Sequence, residues 1–149
     1  MGDLWESTMI LFILQNFDRG ILMTNFFPGL CCGIIIFQTG IIAPIITKEV
    51  KGDLFSLIVR TIWPRFFLVL VIASSLGLLI EILTGVPSAS RIGILFTTII
   101  LPLVCYMLIP ATNAATDTGR ARSFKWLHAT SIILTVLSLL LNTCCIFVE

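Results

Sequence analysis

The sequence predicts an all-α integral membrane protein: a four-helix bundle with a short N-terminal interfacial helix and an amphipathic helix between spans one and two. Two observations carry that class. Hydrophobic residues make up 58% of the 149 and charged residues only 11%, against roughly 25% charged in an average soluble domain, and mean hydropathy is +1.10. The few charges are also grouped, leaving four apolar runs near the roughly 20 residues that cross a bilayer core. No internal repeat or low-complexity tract interrupts them, so residues 1–149 read as one transmembrane domain.

The first element, Leu4 to Phe17, is apolar but too short to cross. Asp3 and Glu6 replace the basic start of a signal peptide, and Glu6 stands where myristoylation wants Ser or Thr. This stretch is expected to lie in the interface with Trp5 near the headgroups. Span one is expected over about 21–47, between Asp18-Arg19 and Lys48-Glu49, with Pro28 and Pro44 as bending points. In Asp53 to Phe67 apolar residues recur at helical intervals, which predicts the amphipathic helix, running into span two through a Pro64 turn. Span two is expected over 63–84, span three over 92–109 and span four over 128–148.

Orientation follows from the basic residues. Lys48, Lys51, Arg60 and Arg65 precede span two and Arg120, Arg122 and Lys125 precede span four, which is seven of the nine; Arg19 and Arg91 fall on the other side. The positive-inside rule then puts both termini on the outer or lumenal side. A net charge of +1 removes the basic footprint of nucleic-acid binding. No Gly-rich phosphate loop, paired histidines or nucleophile triad is present, so no enzymatic activity is expected.

Between helices in lipid, small residues and hydrogen bonds mark the contact faces. Gly29-x-x-x-Gly33 in span one and Ala73-x-x-x-Gly77 in span two are the expected close contacts. In span four His128, Ser131, Thr135, Ser138 and Asn142 follow at steps of three and four, a polar seam on one face. It reads as polar packing between helices or as a path for protons or a small solute; the chain of ionisable groups of a proton relay is missing.

Ionisable and amide groups near the membrane fall into two sets by depth. Arg65, Asn113, Asp117 and His128 are expected to gather at the cytoplasmic ends, and Glu81 with Arg91 at the outer ends, where Glu81 reaches interfacial water or pairs with Arg91. The five cysteines lie in apolar stretches, so a disulfide framework is not expected. Cys31, Cys32, Cys144 and Cys145 are candidates for a soft metal such as Cu(I), but adjacent helical residues point about 100° apart, and cysteine is also a small apolar filler. A haem would need a second ligand for His128. No metal or cofactor is therefore expected, while a bound lipid or hydrophobic pigment stays open.

Three short motifs point to a family. Ile62-Trp63-Pro64-Arg65-Phe66-Phe67, the expected helix exit Pro110-Ala111-Thr112-Asn113, and Phe124-Lys125-Trp126-Leu127-His128-Ala129-Thr130-Ser131 resemble the transmembrane protein 205-like family of four-helix membrane proteins. The resemblance runs from span one onward, although relatives usually carry Gly where this chain has Ala129. It implies no catalytic activity. Some members are associated with tolerance of platinum drugs or copper, and on that implication Arg65, Asn113 and His128 are the positions to carry over. Two functions then compete: an accessory subunit packed against lipids and other membrane proteins, or a protein that handles a metal ion or small solute.

Overall fold

The computed structural model describes residues 23–84 and 88–148. They form four long helices: α1 (Met23–Glu49), α2 (Gly52–Thr84), α3 (Ala89–Asp117) and α4 (Ala121–Phe147). Each is long and apolar enough to cross a membrane, and no strand occurs among the described residues. The protein is thus an all-α, multi-pass membrane protein. The expected N-terminal interfacial helix lies outside the described residues.

Short connections make successive helices antiparallel. Gly52 opens α2 at φ +66° and Gly119 follows α3 at φ +64°, a conformation that costs residues with a Cβ. At Gly119 the backbone N–H of Arg120 donates to Ala115 O at 2.9 Å, the long bond of a Schellman ending. Ser88 caps α3, its side chain accepting from the Arg91 backbone N–H at 3.3 Å, so one of the start's free donors is satisfied.

Three helices depart from the sequence expectation, two of them at prolines. The segment 53–67 is not a separate amphipathic helix turned at Pro64; it is the beginning of α2, which runs through Pro64. Helix α3 likewise runs through Pro102 and Pro110 to Asp117, so Pro110 is no exit. The basic stretch Ala121–Leu127 belongs to α4 and not to a loop. Each proline removes one N–H, but membrane helices tolerate that loss where neighbouring groups re-satisfy the backbone. One turn before Arg65, next to the Arg60 carbonyl that Pro64 leaves without its helical donor, the Thr61 carbonyl accepts from Arg65 Nη1 at 2.8 Å. In α1, Pro44 stands just after a π segment, Gln38–Ile42, closed by Ala43 N–H to Gln38 O. The extra residue in that turn is a known relief of helical strain.

The core sits between α1, α2 and α3, where Cys31, Ile35, Phe66, Phe67, Leu70, Ala73 and Cys105 form one buried cluster. Gly77 is needed there: a Cβ on it would stand 2.9 Å from Phe27 Cβ. Helix α1 also reaches α4, where Cys32 Sγ lies 3.5 Å from Thr143 Oγ1. Ala73 and Gly77 are therefore true contact residues. Gly29 and Gly33 are not contact residues among the described residues, where nothing lies within 4 Å of a Cβ on either. At 100° per residue they fall on the side of α1 opposite the buried Cys31 and Ile35.

Candidate functional site

The two ends of the bundle differ. At one end the helices are tied by a single side chain. Arg91, at the start of α3, is 7% exposed and Glu81, on α2, 5%. Arg91 Nε donates to Glu81 Oε1 at 2.7 Å, Nη2 to Asn25 Oδ1 on α1 at 2.9 Å, and Nη1 to Cys145 O and Val148 O at the end of α4 at 2.6 and 2.7 Å. The rigid fork of a guanidinium serves several acceptors at once. It also places a cation at the negative C-terminal end of the α4 dipole. Glu81 Oε2 is buried without a partner among the described residues.

Below this tie, the polar seam of α4 is mostly internal. Thr135, Ser138 and Asn142 are buried. The Ser131 hydroxyl donates to Leu127 O at 3.1 Å, that of Thr135 to Ser131 O at 2.7 Å, and Asn142 Nδ2 to Ser138 O at 2.8 Å. Each thus bonds back to its own helix, and from α3 Cys105 Sγ donates across to Ser131 O at 3.7 Å. His128 leaves the buried line: it is exposed and stacks on Phe124, ring centroids 5.5 Å apart at 8°.

At the opposite end the bundle opens. Residues 121–126 and 128–130 of α4 are exposed, and all four helices surround a cavity of about 270 Å³. Its walls include Phe55, Trp63, Phe67, Ile109 and Phe124, and its polar groups include Asn113, His128 and Ser131. At the rim, Arg60 forms a two-bond ion pair with Asp117 through Nη1 and Nη2.

The predicted cluster of Arg65, Asn113, Asp117 and His128 is therefore only partly assembled. Asn113 and His128 share the cavity, but the partner of Asp117 is Arg60. Arg65 is exposed and does not line the cavity; it shares an adjoining surface with Arg60, Pro64, Leu68 and Tyr106. The missed residue, Arg60, was legible as a basic position one and a half turns before Arg65. Its role depends on α3 extending to Asp117, which reading Pro110 as an exit concealed.

The cysteines split by burial. Cys31, Cys105 and Cys145 are buried, Cys32 is half-buried and Cys144 is exposed. Cys31 Sγ lies 3.6 Å from Ser74 Oγ on α2, the distance of a weak thiol–hydroxyl contact. Among the described residues no three His, Cys, Asp or Glu side chains come together as a metal site.

No family model, curated protein or solved structure matches this chain.

Proposed function

We propose that this protein is a non-enzymatic accessory subunit whose first helix packs against a transmembrane helix of a different membrane protein. The observation that carries this reading is the glycine face of α1. Gly29 and Gly33, with the exposed Gly40 beyond them, have open space where a Cβ would be, and Gly33 and Gly40 are exposed. Among the described residues these glycines allow no close approach, yet they lower helix propensity. In lipid, a small-xxx-small face lets another helix come near enough for van der Waals packing. The resemblance to the transmembrane protein 205-like family, in which no catalytic activity is established, agrees with a non-enzymatic role.

The test is native mass spectrometry of the chain extracted in mild detergent from the membrane in which it is normally made. A heteromeric assembly is expected, and Gly29→Leu/Gly33→Leu is expected to release the chain from it with helical content kept and the thermal midpoint of the released chain not lowered. A chain found alone or only with copies of itself would refute the reading.

We also propose that the end carrying Arg60, Asp117 and the basic start of α4 faces the cytoplasm or its organellar equivalent. The support is the one-sided distribution of lysine and arginine. In sealed membranes, a cysteine introduced at Ser123 should be shielded from an impermeant thiol reagent added outside, and one at Ser7 should react.

A further inference from the structure

We infer that the cavity between the four helices at the Arg60 end binds a neutral lipophilic ring compound bearing carbonyl oxygens, of the quinone type, by its ring. This site is independent of the glycine face of α1.

The size limits the ligand first. About 270 Å³ is at or just below the low end of the roughly 300–1,000 Å³ of small-molecule pockets. That is room for one ring with its tail left outside, not for a whole lipid. The walls then favour a flat body: Phe55, Trp63, Phe67 and Phe124 line the space, and His128 lies nearly parallel to Phe124. Aromatic faces of this kind gain from offset stacking on another ring.

The hydrogen-bonding inventory selects the polar group. Thr112, Thr116 and Ser131 spend their hydroxyl protons on carbonyls of their own helices at 2.9, 3.1 and 3.1 Å. In contrast, the side chains of Ser56, Trp63, Asn113 and His128 line the cavity and make no hydrogen bond among the described residues. Each of these four has a donor, and the Trp63 indole is a donor only. Deeper in the bundle Gln38 is 9% exposed, and its Nε2 has no partner among the described residues. Since Cys31 on α1 meets Ser74 on α2, antiparallel register puts Gln38, seven residues on, at the level of Phe67, a wall of the cavity. Several free donors in an apolar space call for acceptor oxygens. They do not call for charge, because Arg60, the one cationic guanidinium among the lining residues, is already held by Asp117. A carbonyl-bearing ring meets each condition.

The test uses a chain in which Trp5→Phe and Trp126→Phe leave Trp63 as the sole tryptophan of the original three. Decylubiquinone titrated into the detergent-purified protein should quench Trp63 saturably, at one ligand per chain, and decylbenzene, which has the tail without the carbonyls, should not displace it. Asn113→Leu/His128→Leu should weaken binding about tenfold or more through two lost neutral hydrogen bonds, with helical circular dichroism unchanged. If that double variant loses helicity, His128→Leu alone, at an exposed position, should weaken binding several-fold. Quenching that rises linearly without saturation, displacement by decylbenzene at equal concentration, or equal affinity in the folded variants would overturn the assignment.

Discussion

Arg91 and Glu81, ten residues apart in sequence and at facing ends of two antiparallel helices, form a buried ion pair at 2.7 Å. The same guanidinium binds Asn25 and two carbonyls at the end of α4, so one side chain touches all four helices. The Cys145 carbonyl belongs to the last turn of α4, where no intrahelical donor remains for it. Arg91→Met removes all of these bonds and leaves the Glu81 carboxylate buried alone. The expected loss is about 3–5 kcal/mol, read as a lower thermal midpoint in detergent. A midpoint unchanged by the substitution would show that the tie is not holding the bundle.

Replacing the other partner should be milder. Glu81→Gln keeps an oxygen that accepts from Arg91 Nε, and it removes the carboxylate whose second oxygen lacks a partner among the described residues. Arg91 retains Asn25 and the α4 carbonyls. The midpoint of Glu81→Gln should therefore fall well short of the drop in Arg91→Met, and Glu81→Leu/Arg91→Leu should lose less than the sum of its two single changes, as coupled neighbours do. Additive losses would mean that the two side chains act separately.

Two glycines with the same sequence signature are expected to respond in opposite ways. A Cβ at position 77 would meet Phe27 Cβ at 2.9 Å, an atom fixed close to its backbone, so Gly77→Ala should cost about 1–3 kcal/mol by overpacking. Gly33→Ala meets nothing within 4 Å among the described residues and gains helix propensity of up to about 1 kcal/mol. Thermal unfolding of the two purified variants separates them, and equal shifts would contradict the packing described.

The small-xxx-small pattern announces that a close contact exists without saying with which helix, which is why Gly29 and Gly77 looked alike in the sequence. The number of helices was legible, because solvent transfer energies act on whole runs of residues. The pairing of Glu81 with Arg91 was legible as one of two options, since both flank the same short connection. Helix ends were not: Pro64 and Pro110 are strong breakers in water, and their tolerance inside α2 and α3 depends on neighbouring helices that no local pattern records. That error carried over to the site, moving Asp117 into a loop and leaving Arg60 without its partner. The seam of α4 was legible from its spacing as far as burial, but His128 falls in the first turns of α4, which stand exposed, and spacing along one helix does not record where its neighbours cover it.

The tight turn between α3 and α4 rests on one backbone conformation. Gly119 at φ +64° allows α3 to end at Asp117 and α4 to begin at Ala121, and no connecting loop remains to absorb strain. Gly119→Ala should destabilise the protein by about 1 kcal/mol without changing helical content. Gly119→Asn should cost less, because Asn tolerates the left-handed region better than other residues. If alanine proved as stable as asparagine, the left-handed turn would not be needed for the hairpin.

The Arg60–Asp117 pair makes a different demand, because it lies at the surface with side chains 37% and 55% exposed. Exposed pairs contribute little to stability, as water and salt screen them, so Asp117→Asn should leave the thermal midpoint unchanged within error. Its effect should appear in the cavity. Freed from Asp117, the Arg60 guanidinium becomes an uncompensated cation at the rim of an apolar space, which suits an anionic amphiphile. A brominated fatty-acid anion should then quench Trp63 saturably in the Asp117→Asn protein and not in the parent. Added salt should weaken that quenching, whereas binding of a neutral ring compound should be insensitive to salt. Equal quenching of parent and variant by the anion would mean that Asp117 does not set the charge preference of the cavity.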